Sequence, residues 1–151
     1  ESYSQLFIRT FNTKSRLDEL INNCLNDGFF VIEDLPSGLL VSSAVAAIFP
    51  SPRHPGGASL QWVMTDKSHK GNGLGRAVVT SATKKLTEAG YHEPFLSTDD
   101  WRLPAISIYL KIGWRPLVFN KNMENRWKTV FNKIGLKFST SSYEIDTPDP
   151  L

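Results

Sequence analysis

The sequence predicts a single α/β domain in which an antiparallel hairpin feeds a partly parallel sheet with flanking helices. Three observations carry this. The 151 residues suit one compact unit, since domains run to ~100 to 200 residues. Two stretches rich in aromatic and β-branched residues, 29–35 and 39–49, are separated by Pro36, Ser37 and Gly38, which is turn chemistry for a hairpin. From residue 58 onward, strand-like and helix-like stretches alternate, a pattern that makes successive strands parallel.

The elements follow in order. Tyr3, Leu6, Phe7 and Phe11 recur every three or four residues, and residues 15–26 repeat that period up to Gly28, so two short amphipathic helices are expected first. Cys24 falls in this pattern with Leu17, Leu20, Ile21 and Leu25 and reads as a small buried hydrophobe rather than a nucleophile. The hairpin comes next. Residues 50–57, with three prolines and two glycines, form a loop, and residues 58–64 a strand. A polar loop over 65–72 leads to Leu74, Val78, Ala82 and Leu86, every fourth residue up to Gly90, which is a helix with a glycine stop. Residues 94–98 then read as a short strand, 104–112 as a helix closed by Gly113, and 115–119 as a strand. Met123, Trp127, Val130, Phe131 and Ile134 mark a last helix before Gly135, whose stripe reads as core or as a homodimer contact. The polar tail beyond Ser139 is expected to be a strand or loose. This divides the chain into a domain over 1–136 and a tail over 137–151.

Composition narrows the function classes. With 17 Lys+Arg against 15 Asp+Glu, the chain lacks the basic footprint of a protein that holds nucleic acid by phosphate neutralisation. The longest apolar run, near residues 39–50, is interrupted by Ser42 and Ser43 and falls short of the ~20 residues of a membrane helix. No signal peptide is visible, so a cytoplasmic location is expected. His54, His69 and His92 have no spacing that suggests a metal site. The chain opens at Glu1, without Met, in a helical pattern, which suggests a trimmed or excised domain.

Chemistry concentrates in Lys70-Gly71-Asn72-Gly73-Leu74-Gly75-Arg76, between a predicted strand and a predicted helix. Glycines let backbone amides approach a ligand, and a helix start adds unsatisfied N–H groups at the positive end of a dipole. Together they form an anion site suited to a pyrophosphate. A Walker P-loop would need Ser or Thr after a Gly-Lys pair, whereas Arg76 follows the last glycine here. A Rossmann fingerprint would need a glycine where Arg76 stands and its first glycine directly after the strand, although Asp99 ends the next strand at a suitable distance.

These residues resemble the GNAT superfamily of acetyl-CoA-dependent N-acetyltransferases. That family's phosphate loop reads Gln or Arg, two residues, Gly, one residue, Gly or Ala, and Lys70 to Gly75 is similar, with Lys70 in the first place. A second family segment is matched by Ala105, Ile108, Tyr109, Lys111, Gly113 and Trp114. The resemblance is strongest over residues 60–117 and departs at Arg102, where the family often has Asn. The sheet is expected to lack the family's first strand.

The resemblance implies two parallel strands that splay apart around the pantetheine of acetyl-CoA, which pairs with main-chain groups of Val63, Met64 and Thr65. It implies phosphate contacts from Lys70, Gly71, Asn72, Gly73, Leu74, Gly75 and Arg76; at Arg102 the hydrogen bonds of the family's Asn do not carry over, and a cation near the phosphates is expected instead. It gives Tyr109 the role of protonating the leaving thiolate, a task suited to a phenol that is neutral at pH 7. Relatives often place a basic carboxylate on the strand before the loop, and residues 59–64 contain none. Asp99 and Asp100 are the nearest acidic residues, read first as helix caps, and a water chain to solvent is the default base. Trp62 is a candidate for the acceptor cleft or for packing. The implied function is acetyl transfer to a primary amine of a small molecule or peptide by direct attack, with no metal. The alternative is a CoA-binding sensor or interaction domain that does not turn over.

Overall fold

A computed structural model describes residues 5–6, 21–139 and 143–145. Among these, β1 spans Cys24–Asp34, β2 Leu39–Ile48 and β3 Ala58–Thr65. They are followed by α1 at Leu74–Glu88, α2 at Leu103–Lys111, β4 at Leu117–Val118, α3 at Lys121–Lys133 and β5 at Glu144–Ile145. The chain divides into two compact units, Glu1–Leu96 and Ser97–Leu151.

In the first unit β1, β2 and β3 form an antiparallel sheet in sequence order. Strand β2 is central, and seven consecutive residues from Val41 to Ala47 are buried. A strand covered on both faces reads as a continuous run rather than an alternation. Helix α1 packs on all three strands through Val78, Val79, Ala82 and Leu86. Each buried Val or Leu there stabilises the unit by ~1.5–3 kcal/mol, so this face fixes where α1 begins relative to the end of β3.

Two sequence expectations change here. Residues 24–26 and Gly28, read as the end of a helix, belong to β1. Cys24 pairs with Ala47 and Phe29 with Val45, so the residues between them bulge out of the ladder, with Asp27 at φ 55°. Gly28 is required at that bulge because a Cβ would lie 2.6 Å from the Ala46 carbonyl oxygen. A helical period continued into a segment that pairing with β2 claims, and the ladder wins over local propensity. Cys24 is accordingly a half-buried strand residue whose thiol donates to the Leu25 carbonyl at 3.2 Å, with its pKa raised by burial. The helices expected over residues 1–20 lie outside the described residues except for 5–6, which are helical, as are 21–23.

The second change concerns the strand expected over residues 94–98. It reduces to one parallel bridge, Ser59 to Phe95, with Phe95 N–H donating to the Ala58 carbonyl and Leu60 N–H to the Phe95 carbonyl, both at 3.1 Å. The loop before β3 is fixed beside it by His54, stacked on Phe95 at 4.4 Å and linked to Ser51.

In the second unit the strand expected over 115–119 narrows to β4, which pairs in parallel with β5. Helix α3 buries Val130 and Phe131, so part of its apolar stripe is core. Trp127, Phe131, Phe138 and Tyr143 then follow in a chain of ring contacts 4.8–6.1 Å apart. Most of the tail lies outside the described residues.

Candidate functional site

The end of β3 departs from regular pairing. Ser43 faces Met64 while Val45 faces Gln61, so β3 carries one more residue than β2 across this interval. The excess is a bulge, and Trp62 sits in it at φ 51°, a conformation bulky residues rarely adopt. A bulge re-aims main-chain groups, and two buried serines hold this one in place. Ser43 Oγ donates to the Trp62 carbonyl at 3.1 Å, and Ser42 Oγ donates to the Met64 carbonyl at 2.8 Å and meets Thr65 Oγ1 at 3.0 Å. Trp62, half-buried, packs against both Leu6–Met64 and Val45–Ala47. The two-residue alternation of a regular strand is therefore broken at Trp62. Ser42 and Ser43 escaped the sequence reading as site residues, having registered only as interruptions of an apolar run. Polar residues inside a run otherwise continuous enough to be buried are the signal that marks them.

Beyond β3 the chain is tied down before it reaches the glycines. Asp66 N–H donates to the Val41 carbonyl at 2.8 Å, and its carboxylate accepts from Ser68 N–H at 2.9 Å, capping the 3-10 turn Lys67–His69. Ser68 Oγ contacts His69 Nδ1 at 2.9 Å, and Asn72 Nδ2 donates to the His69 carbonyl at 3.3 Å. Lys70, Gly71, Asn72, Gly73 and Arg76 are exposed, while Leu74 and Gly75 are half-buried.

Gly71 and Gly73 occupy the left-handed region at φ 86° and 78°, with no atom within 4 Å of where a Cβ would stand. Gly73 is the N-cap of α1 and supplies no side-chain bond to it. The first N–H groups of α1 thus meet no capping side chain, at the positive end of the helix dipole. Exposed glycines, open space on their side-chain faces and a nearby lysine and arginine fit a phosphate-bearing ligand, so the residues present suit the group the sequence implied.

Tyr109 lies on α2 and is 6% exposed. Burial pushes its pKa up, partly offset by Arg102, so the phenol is protonated at neutral pH. Arg102 is the N-cap of α2 through its main chain and makes no side-chain cap bond. Neither Asp99 nor Asp100 caps α2 by its side chain, which corrects the capping expectation. Asp99 accepts Arg102 N–H through its carbonyl at 3.1 Å. The Asp100 carboxylate is drawn instead to Arg126 of α3, accepting from Nε and Nη2 at 2.8 Å each, and these bonds lower its pKa. A carboxylate held ionised by a guanidinium is a poor proton acceptor at neutral pH.

Val63, Met64, Thr65 and Lys70 to Arg76 thus lie in the first unit, and Asp99, Asp100, Arg102 and Tyr109 in the second. Among the described residues no three His, Cys, Asp or Glu side chains are grouped to hold a metal ion, and no helix is long and apolar enough to cross a membrane.

Comparison with known proteins adds sequence and fold relationships. The profile of the acetyltransferase (GNAT) family matches residues 1–114. Mycothiol acetyltransferase from Arthrobacter sp. (strain FB24) is 31% identical over 88 residues, which cover 58% of this chain and 27% of that protein. The match thus spans about a quarter of that curated relative. Among solved structures, a Trypanosoma brucei acetyltransferase superposes with a TM-score of 0.54 at 24% identity, covering 74% of this chain and 84% of that one. YncA from Salmonella typhimurium, solved with its cofactor acetyl-CoA, gives 0.50 at 18% identity over 58% of this chain and 49% of that one. At these identities the structural likenesses establish the fold.

Proposed function

The chain belongs to the acetyltransferase (GNAT) family, and on that premise we propose that it transfers an acetyl group from acetyl-CoA to a primary amine by direct attack. The observation that carries this is the start of α1, where Gly71 and Gly73 take left-handed conformations with open space where a side chain would stand and no side chain caps the helix. Acetyl-CoA, when bound, supplies the thioester. The loop from Lys70 to Arg76 would hold its pyrophosphate by main-chain N–H groups, with Lys70 and Arg76 adding charge. Main-chain groups of Val63, Met64 and Thr65 would align the pantetheine arm, and the Trp62 bulge would aim them.

Tyr109 takes the role of general acid. Burial keeps its proton on at neutral pH, and a positioned acid contributes ~10²- to 10⁴-fold in rate. Arg102 adds a cation for the phosphates. The acceptor is a small-molecule or peptide amine, and solvent takes its proton, since Asp100 is committed to Arg126. The setting we assign is the cytoplasm, where acetyl-CoA is available.

Calorimetry with CoA and acetyl-CoA tests the reading at its base. Saturable binding is expected, together with release of free thiol in the presence of some member of an amine panel. Absence of binding would sink the proposal, and binding without thiol release across the panel would favour a non-catalytic CoA-binding domain.

A further inference from the structure

The two serines at the bulge of β3 give two peptide groups a direction. Ser43 Oγ donates to the Trp62 carbonyl at 3.1 Å and Ser42 Oγ to the Met64 carbonyl at 2.8 Å, and both serines are fully buried on the central strand β2. Among the described residues no peptide bond is cis, and in a planar trans peptide the C=O and the N–H point in opposite directions. A Trp62 carbonyl drawn to β2 therefore turns the Val63 N–H away from β2, and the Met64 carbonyl does the same for the Thr65 N–H. They turn to the edge of β3 along which Phe95 bonds Ala58 and Leu60. The two peptides differ in what else fixes them. Met64 pairs with Ser43 and Thr65 with Ser42, so the ladder itself holds the Met64–Thr65 peptide. The Trp62–Val63 peptide lies in the interval where β3 has one residue more than β2, and there the Ser43 hydroxyl supplies the donor for the carbonyl. Trp62 stands at φ 51°, a conformation that a bulky residue keeps only where its surroundings impose it, and such strain gathers at functional sites.

We propose, resting on the acetyl-transfer reading above, that Ser43 is a positioning residue for that reaction, its hydroxyl setting the direction in which the Val63 N–H meets the bound cofactor. The order of the chain says which part of the cofactor this is. The phosphate loop follows β3, so an arm laid along β3 from that loop passes Thr65 first and carries its thioester toward Val63. Ser43 does not touch the cofactor and acts through the peptide that does. Burial alone gives no reason for a hydroxyl at this place, because Ala44, Val45, Ala46 and Ala47 continue the strand as buried apolar residues and alanine would fill the position. The competing role is purely structural, a hydroxyl that satisfies one carbonyl left over by the bulge.

The sequence holds one Trp-Val pair, Trp62–Val63, so protein labelled with 13C at tryptophan carbonyl carbons and 15N at valine gives a single carbonyl-to-amide correlation, from this peptide. In the wild type, acetyl-CoA is expected to shift the Val63 amide saturably. In Ser43→Ala the Trp62 carbonyl resonance should move as its donor is lost, and the acetyl-CoA-dependent shift of Val63 should shrink. Acetyl-CoA affinity should stay nearly unchanged, because the phosphates carry it. The single-turnover rate, read as free thiol with the panel amine that reacts fastest in the wild type, should fall roughly 10- to 10²-fold, the order of loss that a misplacement of about 1 Å brings. Ser43→Thr and Ser43→Val share one shape and differ by the hydroxyl, so packing damage is common to both, and threonine alone should recover the rate and the shift even if Ser43→Ala destabilises the sheet. A wild-type rate and Val63 shift in Ser43→Ala, or a Ser43→Val that matches Ser43→Thr, would overturn the positioning role and leave Ser43 a satisfied core residue. A wild type that does not bind acetyl-CoA in calorimetry, or binds it without releasing thiol, removes the acetyl-transfer reading and this role with it, whereas binding and release that the Ser43 variants leave intact remove the role alone.

Discussion

Helices α1 and α3 are of similar length, 15 and 13 residues, and each buries an apolar face, yet they begin in opposite ways. Asn120 precedes α3 in an extended conformation, φ −151° and ψ 160°, and its Oδ1 accepts from the N–H groups of Asn122 and Met123 at 3.1 Å each. Gly73 precedes α1 in the left-handed region and returns no side chain. One helix closes its own N-terminus, and the other leaves that end open to an approaching anion. The capped start of α3 serves the fold, and the proposal above gives the open start of α1 to a ligand.

The largest effect is expected where neither helix start takes part. Proton chemistry in this reading falls on one side chain of α2, so Tyr109→Phe should leave acetyl-CoA affinity nearly intact and lower the single-turnover rate by roughly 10²- to 10⁴-fold. If Tyr109 only packs, the variant should instead lose about 1 kcal/mol of stability and turn over normally. Melting temperature and rate measured on one sample decide between them.

Gly73→Asp breaks the comparison directly, by giving α1 the kind of side chain that α3 already has. The carboxylate would compete for the N–H groups and repel the pyrophosphate, and at an intermediate dielectric that repulsion lowers CoA affinity by roughly 10²-fold or more. No atom lies within 4 Å of the new Cβ, and Asp is among the residues that visit the left-handed region, so the fold should survive at a cost of about 1 kcal/mol. A folded variant with unchanged CoA affinity in calorimetry would place the phosphates elsewhere.

This contrast also shows what the sequence made legible. The spacing from Lys70 to Arg76 and the apolar repeat from Leu74 to Leu86 located the loop and α1 within two residues of the observed bounds, because both signals are local. The same holds for α2 and α3, each followed by a glycine with positive φ, Gly113 and Gly135. Pairing was less legible. The excess residues in β1, the Trp62 bulge and the one-residue contact at Phe95 depend on which strand each segment meets, and no short window holds that information. Asp100 shows the same limit, since its partner Arg126 is 26 residues away and turned an expected cap into an ion pair.

The opposite substitution sharpens the α3 side of the comparison. Asn120→Ala removes the acceptor for two N–H groups and should cost about 1 kcal/mol of stability, with Asn120→Asp restoring most of it. Neither change should alter CoA affinity. A loss of CoA binding in Asn120→Ala at temperatures where the protein stays folded would mean that the start of α3 is not purely structural.

The smallest effect concerns pH. Asp100 hydrogen-bonded to Arg126 has its folded-state pKa lowered, whereas an aspartate in the unfolded chain titrates near ~4. A carboxylate with a lowered folded pKa binds fewer protons folded than unfolded, so its contribution is present above the unfolded value and is lost as pH falls through the folded one. Arg126 stays charged throughout and adds no pH dependence of its own. Because both side chains are about half exposed, solvent screening holds the contribution to ~0.2–1 kcal/mol. Other carboxylates titrate in the same range, so the informative quantity is the stability difference between the wild type and Asp100→Asn. That difference should be constant from about pH 5 upward and shrink toward zero below ~4, and 1 M salt should reduce it. A difference that persists at pH 2 would mean that Asp100 holds α3 through packing or through its neutral form, and that its ion pair with Arg126 is incidental.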